Sequence, residues 1–523
     1  MKLSRDIVRV LPGQWIIVPM GDGSRDFHLQ RRQKWRNPTV SQAFDFARIL
    51  SAHRDVEDCE PALVVPTIGP DEMRRRNQDD SRIRSALPAE LSSGTSADDD
   101  QHLACSSSHQ WHHSMCSIPS AWLLPRPSGG KARGEGILIG HPDTGYSDHP
   151  EITDEERLLK DRGFDFQGDD SDPRDPLTGT FAGHGTSTSS VIMSGVTGQI
   201  LGVAPRAQLM PLRVTDNVVL LSFTRIASAI RFAADNGVHV ISISLGGPVA
   251  SRFLERAVQY AISRGVIVVC AAGNVWPFVV FPARLDEVIA VAACNCRKKT
   301  WVDSASGADV DITAPGESVW RAEAATSGFG ISRSSGTSYA TAIAAGVAAL
   351  WLAHHGRERL IARFGISSIP LVFKELLMTA GFDRPSGWDT RNFGAGVLNA
   401  EKLLRAPLPS TPPAAGFRSL RLSESPRTLN QIDRLLELFP QNSPDDIRAG
   451  LSRFLRVPSS DLNLALRDVA DEIAWHATTN MTFRQMICRS RAEVSRRSIR
   501  LATDANEGQW PTLSRQLRKL AGT

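Results

Sequence analysis

Between residues 105 and 405 short apolar runs alternate with segments whose apolar positions recur every three or four residues. ILIG is followed by an acidic turn, RIASAIRFAADNG has helical spacing with Gly237 to close it, and VHVISISLGG reads as a buried strand. RFLERAVQYAISRG repeats the device, with Leu254, Ala257, Val258, Ala261 and Ile262 on one face and Gly265 as the stop; VIVVCAAGN is the next strand. Alternation of this kind predicts an α/β domain whose parallel sheet carries helices on both faces.

The flanks read differently. Residues 1–66 hold a strand at GQWIIVPM, a helix at VSQAFDFARILSAH and a strand at ALVVP, enough for a small α+β unit. From 67 to 104 the chain turns polar and charged, as an exposed linker does. A proline-rich linker spans 406–427 and opens with APLPSTPPAAG. Beyond it, LNQIDRLLELF, DDIRAGLSRFL and LNLALRDVADEIAWHA predict an all-α module over 428–523, whose role the sequence leaves open, a protein partner being one option. Residues 481–523 carry nine Arg plus Lys against three Asp plus Glu, the pattern of a solvated basic helix face.

Composition narrows the classes. Hydrophobic residues are 41% and charged residues 22%, and a net charge of +4 over 523 residues creates no need for nucleic acid. No run reaches the roughly 18 apolar residues of a membrane span. MKLSRDIVRVLPGQWIIVPMGDG lacks an apolar secretion core and cleavage site, so a cytoplasmic location is the expectation, with non-standard export left open. Seven cysteines, thinly spread, do not predict a disulfide framework, and Cys294 and Cys296 read as packing residues. Cys105, His109, His112, His113 and Cys116 hold two metal-binding residue types, but their spacing fits no common zinc module.

Three segments set reactive side chains at strand ends and helix starts, where a parallel sheet exposes them. Asp143 follows the strand in ILIGHPDTGYSDHPEI, His184 sits between glycines in FAGHGTSTSSVIMSG, and Ser338 opens the helix that follows SSGT. Pro142 restricts His141 to extended geometry, which suits a strand end. Serine is a poor nucleophile until an imidazole takes its proton and a carboxylate fixes that imidazole. A helix start adds unpaired N–H groups and a positive dipole end, which favour an oxyanion beside Ser338 over Ser334 or Ser335.

The flanking residues carry more than the single side chains. HPDTGYSDHPEI, GHGTSTSSVI and SGTSYATAIAAGVAAL resemble the aspartate, histidine and serine motifs of the subtilisin-like serine proteases, the subtilases, in their Asp, His, Ser order. LGVAPRAQLMPLRV, VISISLGG, VIVVCAAGN, FPARLDEVIAVAA, DITAPGESVW and WDTRNFGAGVLNAEKLL look like further family segments, and the resemblance covers about 300 residues. It implies a subtilisin-like fold and a serine endopeptidase acting on proteins or peptides through Ser338, His184 and Asp143, with Asn274 as oxyanion donor. It also implies a substrate edge at Ser244, Leu245, Gly246 and Gly247, an opposite wall at Ala271, Ala272 and Gly273, and a P1 pocket based at Val280 that favours apolar side chains. A non-catalytic peptide-binding or scaffolding protein on the same fold is the alternative.

Ser187 stands where the histidine motif commonly has a second histidine, and Ala342 where the serine motif often has proline. FARILSAHRDVEDCEPALVVP is similar to the end of an inhibitory propeptide, cleaved within 67–104, and QWHHSMCSIPSAW looks like the start of a mature catalytic domain. No cofactor is required. Structural calcium is frequent in the family, and Asp169, Asp170, Asp172 and Asp175 of GDDSDPRDP are the candidates against the plainer reading of an acidic surface loop.

Overall fold

The computed structural model describes residues 15–19, 27–31, 39–51, 56 and 59, residues 107–412 apart from 196, 221–222, 249–250, 275 and 277, and, discontinuously, 432–488 and 513–521. The linker at 67–104, the strand expected at ALVVP, Cys105 and residues 413–431 lie outside the described residues. Two compact units are formed.

The larger unit holds the α/β alternation. Its elements include β1 (Leu138–Asp143), β2 (Phe164–Asp165), α1 (His184–Met193), β3 (Gln208–Arg213), α2 (Thr224–Asp235), β4 (Val240–Ile243), α3 (Arg252–Ser263), β5 (Ile267–Ala271), β6 (Ile289–Cys294), β7 (Ile312–Pro315), β8 (Val319–Ala325), β9 (Gly328–Ser334), α4 (Thr337–His355), α5 (Ile369–Thr379), β10 (Phe382–Asp383) and β11 (Val397–Leu398). Among the described residues these strands make a nine-stranded sheet in the order β10-β11-β7-β6-β5-β4-β1-β3-β2, with β8 and β9 as a separate antiparallel hairpin. Every pairing in the large sheet is parallel except β10 with β11. The order reverses at β1, and β1 and β4, which end at Asp143 and just before Ser244, therefore lie side by side.

Burial explains the sequence pattern. All residues of β1, β4, β5, β6 and β7 are buried, as sheet strands covered on both faces must be. On α3 the buried face is Leu254, Ala257, Val258, Ala261 and Ile262, Ser251 caps the start by accepting from the Leu254 N–H, and Gly265 follows at φ 76°. All nineteen residues of α4 are buried. Its alanines and Gly346 permit this: a Cβ on Gly346 would lie 2.6 Å from Val203 Cβ. Lys374 of α5 is fully buried and donates to Asp311 Oδ2 (2.9 Å) and to the carbonyls of Asp286 (2.9 Å) and Val288 (2.8 Å).

The smaller unit combines described segments from both ends of the chain. Strand Trp15–Pro19 pairs antiparallel with Phe27–Arg31, and helix Val40–Ser51 follows. Its Arg48 donates to Glu472 Oε2 at 2.6 Å and to Ser514 Oγ, 424 and 466 residues away in the chain. The C-terminal helices include Pro444–Leu455, Leu462–Leu466, Ala470–Thr479, Met481–Cys488 and Arg515–Ala521. The N-terminal piece and the helical module, read from sequence as separate, thus share one compact unit.

Cys294 is buried at the end of β6 and Cys296 packs, partly buried, against the core, as packing residues would, but Cys296 is also disulfide-bonded, which the sequence reading did not foresee. The reason is local. β6 ends at Cys294, and Cys296 stands in the turn that follows, free of the strand's alternation.

Candidate active site

β1 delivers Asp143 at its last position, and a run of close backbone approaches brings α1 to it. A Cβ on Gly185 would lie 2.0 Å from the Gly145 carbonyl oxygen, so only glycine allows this contact. The Gly185 N–H donates to Thr144 Oγ1 (3.0 Å), whose hydroxyl donates to Asp175 Oδ2 (2.6 Å). Asp175 also accepts from the N–H groups of Gly183 (2.9 Å) and Leu177 (2.8 Å). Burial pushes its carboxyl up, against the pull of these bonds. Asp175 therefore ties the turn after β1 to the start of α1 and sets where His184 begins.

His184 Nδ1 lies 2.7 Å from Asp143 Oδ1 and His184 Nε2 lies 3.1 Å from Ser338 Oγ. Asp143 is fully buried, which alone would raise its pKa; the His184 and His141 imidazoles and the Thr144 N–H (2.7 Å) hold the carboxyl below its ordinary value instead. The geometry assigns Nδ1–H as donor to the carboxylate and leaves Nε2 to accept from the serine. Ser338 Oγ also has the Ser244 carbonyl at 3.3 Å, and Ser244 Oγ donates to the Ser338 carbonyl at 3.1 Å.

Ser338 is the second residue of α4, one place later than its sequence reading as the helix opening. Thr337 makes the bonds of the first turn: its N–H and hydroxyl both donate to Asn274 Oδ1, at 2.8 and 2.7 Å. Oδ1 is thus occupied, and Nδ2 is the donor of the Asn274 amide. A Cβ built on Gly336 would meet Asn274 Nδ2 at 3.4 Å and the Ser338 nitrogen at 3.6 Å, so both nitrogens border the space that glycine leaves empty. Two preorganised donors beside a hydroxyl and an imidazole can stabilise the oxyanion of an acyl transfer.

Two of the residues expected to bind substrate touch this point: Ser244 bonds Ser338, and the Gly273 N–H donates to Thr337 Oγ1 at 3.2 Å. Ser244, Leu245, Gly246 and Gly247 follow β4, and Ala271, Ala272 and Gly273 lead out of β5. The segment at Gly246 is already paired: its N–H donates to the Val218 carbonyl (3.1 Å), and its carbonyl accepts from Leu220 (2.8 Å). Gly247 exchanges bonds with Phe281 at 3.0 and 2.9 Å. Val280 closes the slot between the walls: its Cγ2 lies 2.5 Å from a Cβ built on Gly246, and its two methyls lie 3.2 and 3.3 Å from one built on Gly273. Val280 itself is buried, at 3% exposure, so its isopropyl group fills the base.

Ser187 bonds the carbonyls of Gly183 (3.0 Å) and Ala322 (2.8 Å), fastening α1 to β8. The histidine cluster before the sheet is packed: His112 and His113 stack edge to face, as do His113 and Trp122, and burial lowers both imidazole pKa values. His109 Nδ1 meets the Gln199 carbonyl at 2.8 Å. In the acidic loop Asp170 accepts from the Asp172 N–H at 2.8 Å while Asp175 turns inward; among the described residues no three His, Cys, Asp or Glu side chains converge as a metal site would require. Sequence reasoning missed Asp175 and Thr337 as parts of the site. Position alone could have flagged Thr337, between the glycine and the serine of the motif.

Comparison with known proteins agrees with the motifs. A family model described as the Subtilase family (Peptidase_S8) matches residues 134–396. Thermitase of Thermoactinomyces vulgaris is 35% identical over 267 residues, which are 50% of this chain and 88% of thermitase. Subtilisin Savinase of Lederbergia lenta is 37% identical over 42% of this chain and 76% of its own length. Alkaline elastase YaB of Bacillus sp. (strain YaB) is 36% identical over 52% of this chain and 65% of its own length. Among solved structures, fervidolysin from Fervidobacterium pennivorans is 26% identical, covers 53% of this chain and 44% of that chain, and superposes with a TM-score of 0.44. The chain belongs to the subtilase family and is a subtilisin-like serine endopeptidase.

Proposed function

We propose that the chain hydrolyses peptide bonds through Ser338, His184 and Asp143, with short apolar side chains preferred at P1. The continuous line from Ser338 Oγ through both nitrogens of His184 to Asp143 Oδ1 carries the reading. Ser338 Oγ attacks the scissile carbonyl carbon as its proton passes to His184 Nε2. Asp143 stabilises the imidazolium without taking the proton. The oxyanion accepts from Asn274 Nδ2 and the Ser338 N–H, the imidazolium protonates the leaving amine, and water, deprotonated by the same imidazole, cleaves the acyl-enzyme.

The substrate strand adds beside Ser244–Gly247 by taking over the bonds that Val218 and Leu220 make to Gly246. Val280 limits P1 size, since its methyls occupy the gap between Gly246 and Gly273. Peptide nitroanilides test both claims. Wild type should cleave P1 Ala faster than P1 Phe, Val280→Gly should reverse the order, and Ser338→Ala should be inert on both. Equal rates with Ala and Phe in wild type would overturn the size limit; turnover by Ser338→Ala would overturn the triad. A folded wild type inert on every peptide would favour the scaffolding alternative.

A further inference from the structure

Asp143 has two carboxylate oxygens, and the reaction described above uses one. Oδ1 serves His184 and the Thr144 N–H, at 2.7 Å each. Oδ2 is sealed in the core, and the atoms that face it belong to Thr188 of α1, whose Oγ1 is 3.4 Å away, and to His141, whose Nε2 is 3.8 Å away. His141 itself is 1% exposed and has partners at both ring nitrogens: Nε2 lies 3.0 Å from Thr188 Oγ1 and Nδ1 lies 3.3 Å from Ser189 Oγ. β1 and α1 thus place a second histidine behind the carboxylate.

The hydrogen-bond directions follow from what must be satisfied. If His141 carried its proton on Nδ1, the Thr188 hydroxyl would have to donate to His141 Nε2, and the buried Oδ2 of Asp143 would have no donor among the described residues. An unpaired buried carboxylate oxygen is costly. If the proton is on Nε2, His141 donates to Thr188 Oγ1, and the Ser189 hydroxyl donates to Nδ1. The Thr188 hydroxyl is then free to donate, and of its acceptors, the carbonyls of His184 (3.1 Å) and Gly185 (3.3 Å) and Asp143 Oδ2, the last is the one that bears charge. We propose that His141 is a positioning residue for the triad: through Thr188 it directs a hydrogen bond at Asp143 Oδ2, which fixes the carboxylate and moderates its hold on the His184 proton.

The surroundings support a neutral imidazole. Burial lowers the His141 pKa, Asp143 opposes that, and His184 adds to it. Asp143 on its own strand and His184 on α1 are the titratable groups facing it; β3 sets Pro211 opposite, and β4, Val240–Ile243, has no charged residue. The sign of the effect is set by the carboxylate. Each donor on Oδ2 draws off negative charge and weakens the carboxylate's stabilisation of positive charge on the neighbouring imidazole, so removing the donor moves the acid limb of activity to higher pH.

The inference rests on the triad reading, and one set of variants separates the two. Wild type is first labelled with a fluorophosphonate; failure to label Ser338 would refute the triad itself. With labelling established, His141→Leu, His141→Gln and Thr188→Val are compared by the pH dependence of kcat/KM. Thr188→Val, which removes the donor itself, should move the acid limb to higher pH and lower kcat by about tenfold with KM unchanged, as a small loss of alignment does, and His141→Leu, which leaves the Thr188 hydroxyl undirected, should shift the limb in the same direction. The double variant should shift no further than Thr188→Val alone, because His141 acts through the Thr188 hydroxyl. His141→Gln, whose Nε2–H can replace the imidazole donor, should restore the wild-type limb. A folded Thr188→Val or His141→Leu enzyme with the wild-type limb and kcat would overturn the proposal. So would a Gln variant that behaves like Leu, which would mark His141 as packing alone.

Discussion

Replacing Gly336 by alanine should abolish turnover while leaving the fold intact, and the structure gives the reason for each half. Gly336 sits at φ 170°, ψ 149°, extended backbone open to any residue, so alanine meets no conformational penalty. The three nearest atoms to its added methyl would be Asn274 Nδ2 at 3.4 Å, the Ser338 nitrogen at 3.6 Å and Ser338 Cβ at 3.8 Å, all ordinary contact distances. Two of those atoms are the donors proposed for the oxyanion, which must approach each to about 2.7–3.1 Å. A methyl touching both donors takes the volume the oxyanion needs. Loss of one such donor costs about 10²–10³ in kcat, so loss of both should cost at least 10³, or about 4 kcal/mol of transition-state stabilisation. The assay is steady-state hydrolysis of a peptide nitroanilide beside thermal melting. KM and Tm should stay near wild type while kcat collapses. A folded Gly336→Ala enzyme with kcat within about tenfold of wild type would refute the placement of the oxyanion between Asn274 and Ser338.

Three further outcomes follow from buried charge. Lys374→Met strands the Asp311 carboxylate that Lys374 meets at 2.9 Å and should cost about 3–5 kcal/mol in urea unfolding; a loss under about 1 kcal/mol would show the pair to be dispensable. His355 and His113 are held neutral by burial, with pKa values lowered to about 3 and about 4. The unfolded chain takes up those protons below about pH 6.5, so stability should fall from pH 6.5 towards 4, each group contributing on the order of 3 kcal/mol, and His355→Leu should flatten the slope of Tm against pH. Burial raises the Glu472 carboxyl, but the neighbouring His476 (3.7 Å) and the bonds from Ser514 and Arg48 outweigh it and leave the pKa lowered, so its stabilisation is present at neutral pH and lost as pH falls through the folded value. A chain cut between 67 and 104 should therefore keep its N-terminal fragment through gel filtration at pH 7, and Arg48→Leu should weaken that retention. Clean separation of the wild-type fragment would contradict the shared unit.

The sequence made legible what depends on local periodicity or on runs of neighbouring residues. The strands of the large sheet are continuous apolar runs because both faces are covered, and the helices between them announce their ends with Gly237 and Gly265, at φ 75° and 76°. Asp143, His184 and Ser338 were readable because each lies in a flanking motif several residues long. What stayed hidden depends on pairs far apart in the chain. Asp175 looked like one more aspartate of an acidic loop until Thr144 and Gly183 closed on it. His141 read as a residue stiffened by Pro142, since nothing local announces that Thr188 and Ser189 lie across from it. Arg48 and Glu472 belong to segments that periodicity alone assigns to different domains. Val280 was placed at the P1 base by resemblance, but that its methyls fill the gap between two glycines needed coordinates.

The central claim is that Ser338 is the nucleophile activated by His184. Fluorophosphonate labelling followed by peptide mass mapping tests it directly. The adduct should appear on Ser338 in the folded wild type, vanish in Ser338→Ala, fall by orders of magnitude in rate in His184→Ala, and persist in Ser335→Ala. An adduct on another serine, or a folded and unlabelled wild type, would contradict the account.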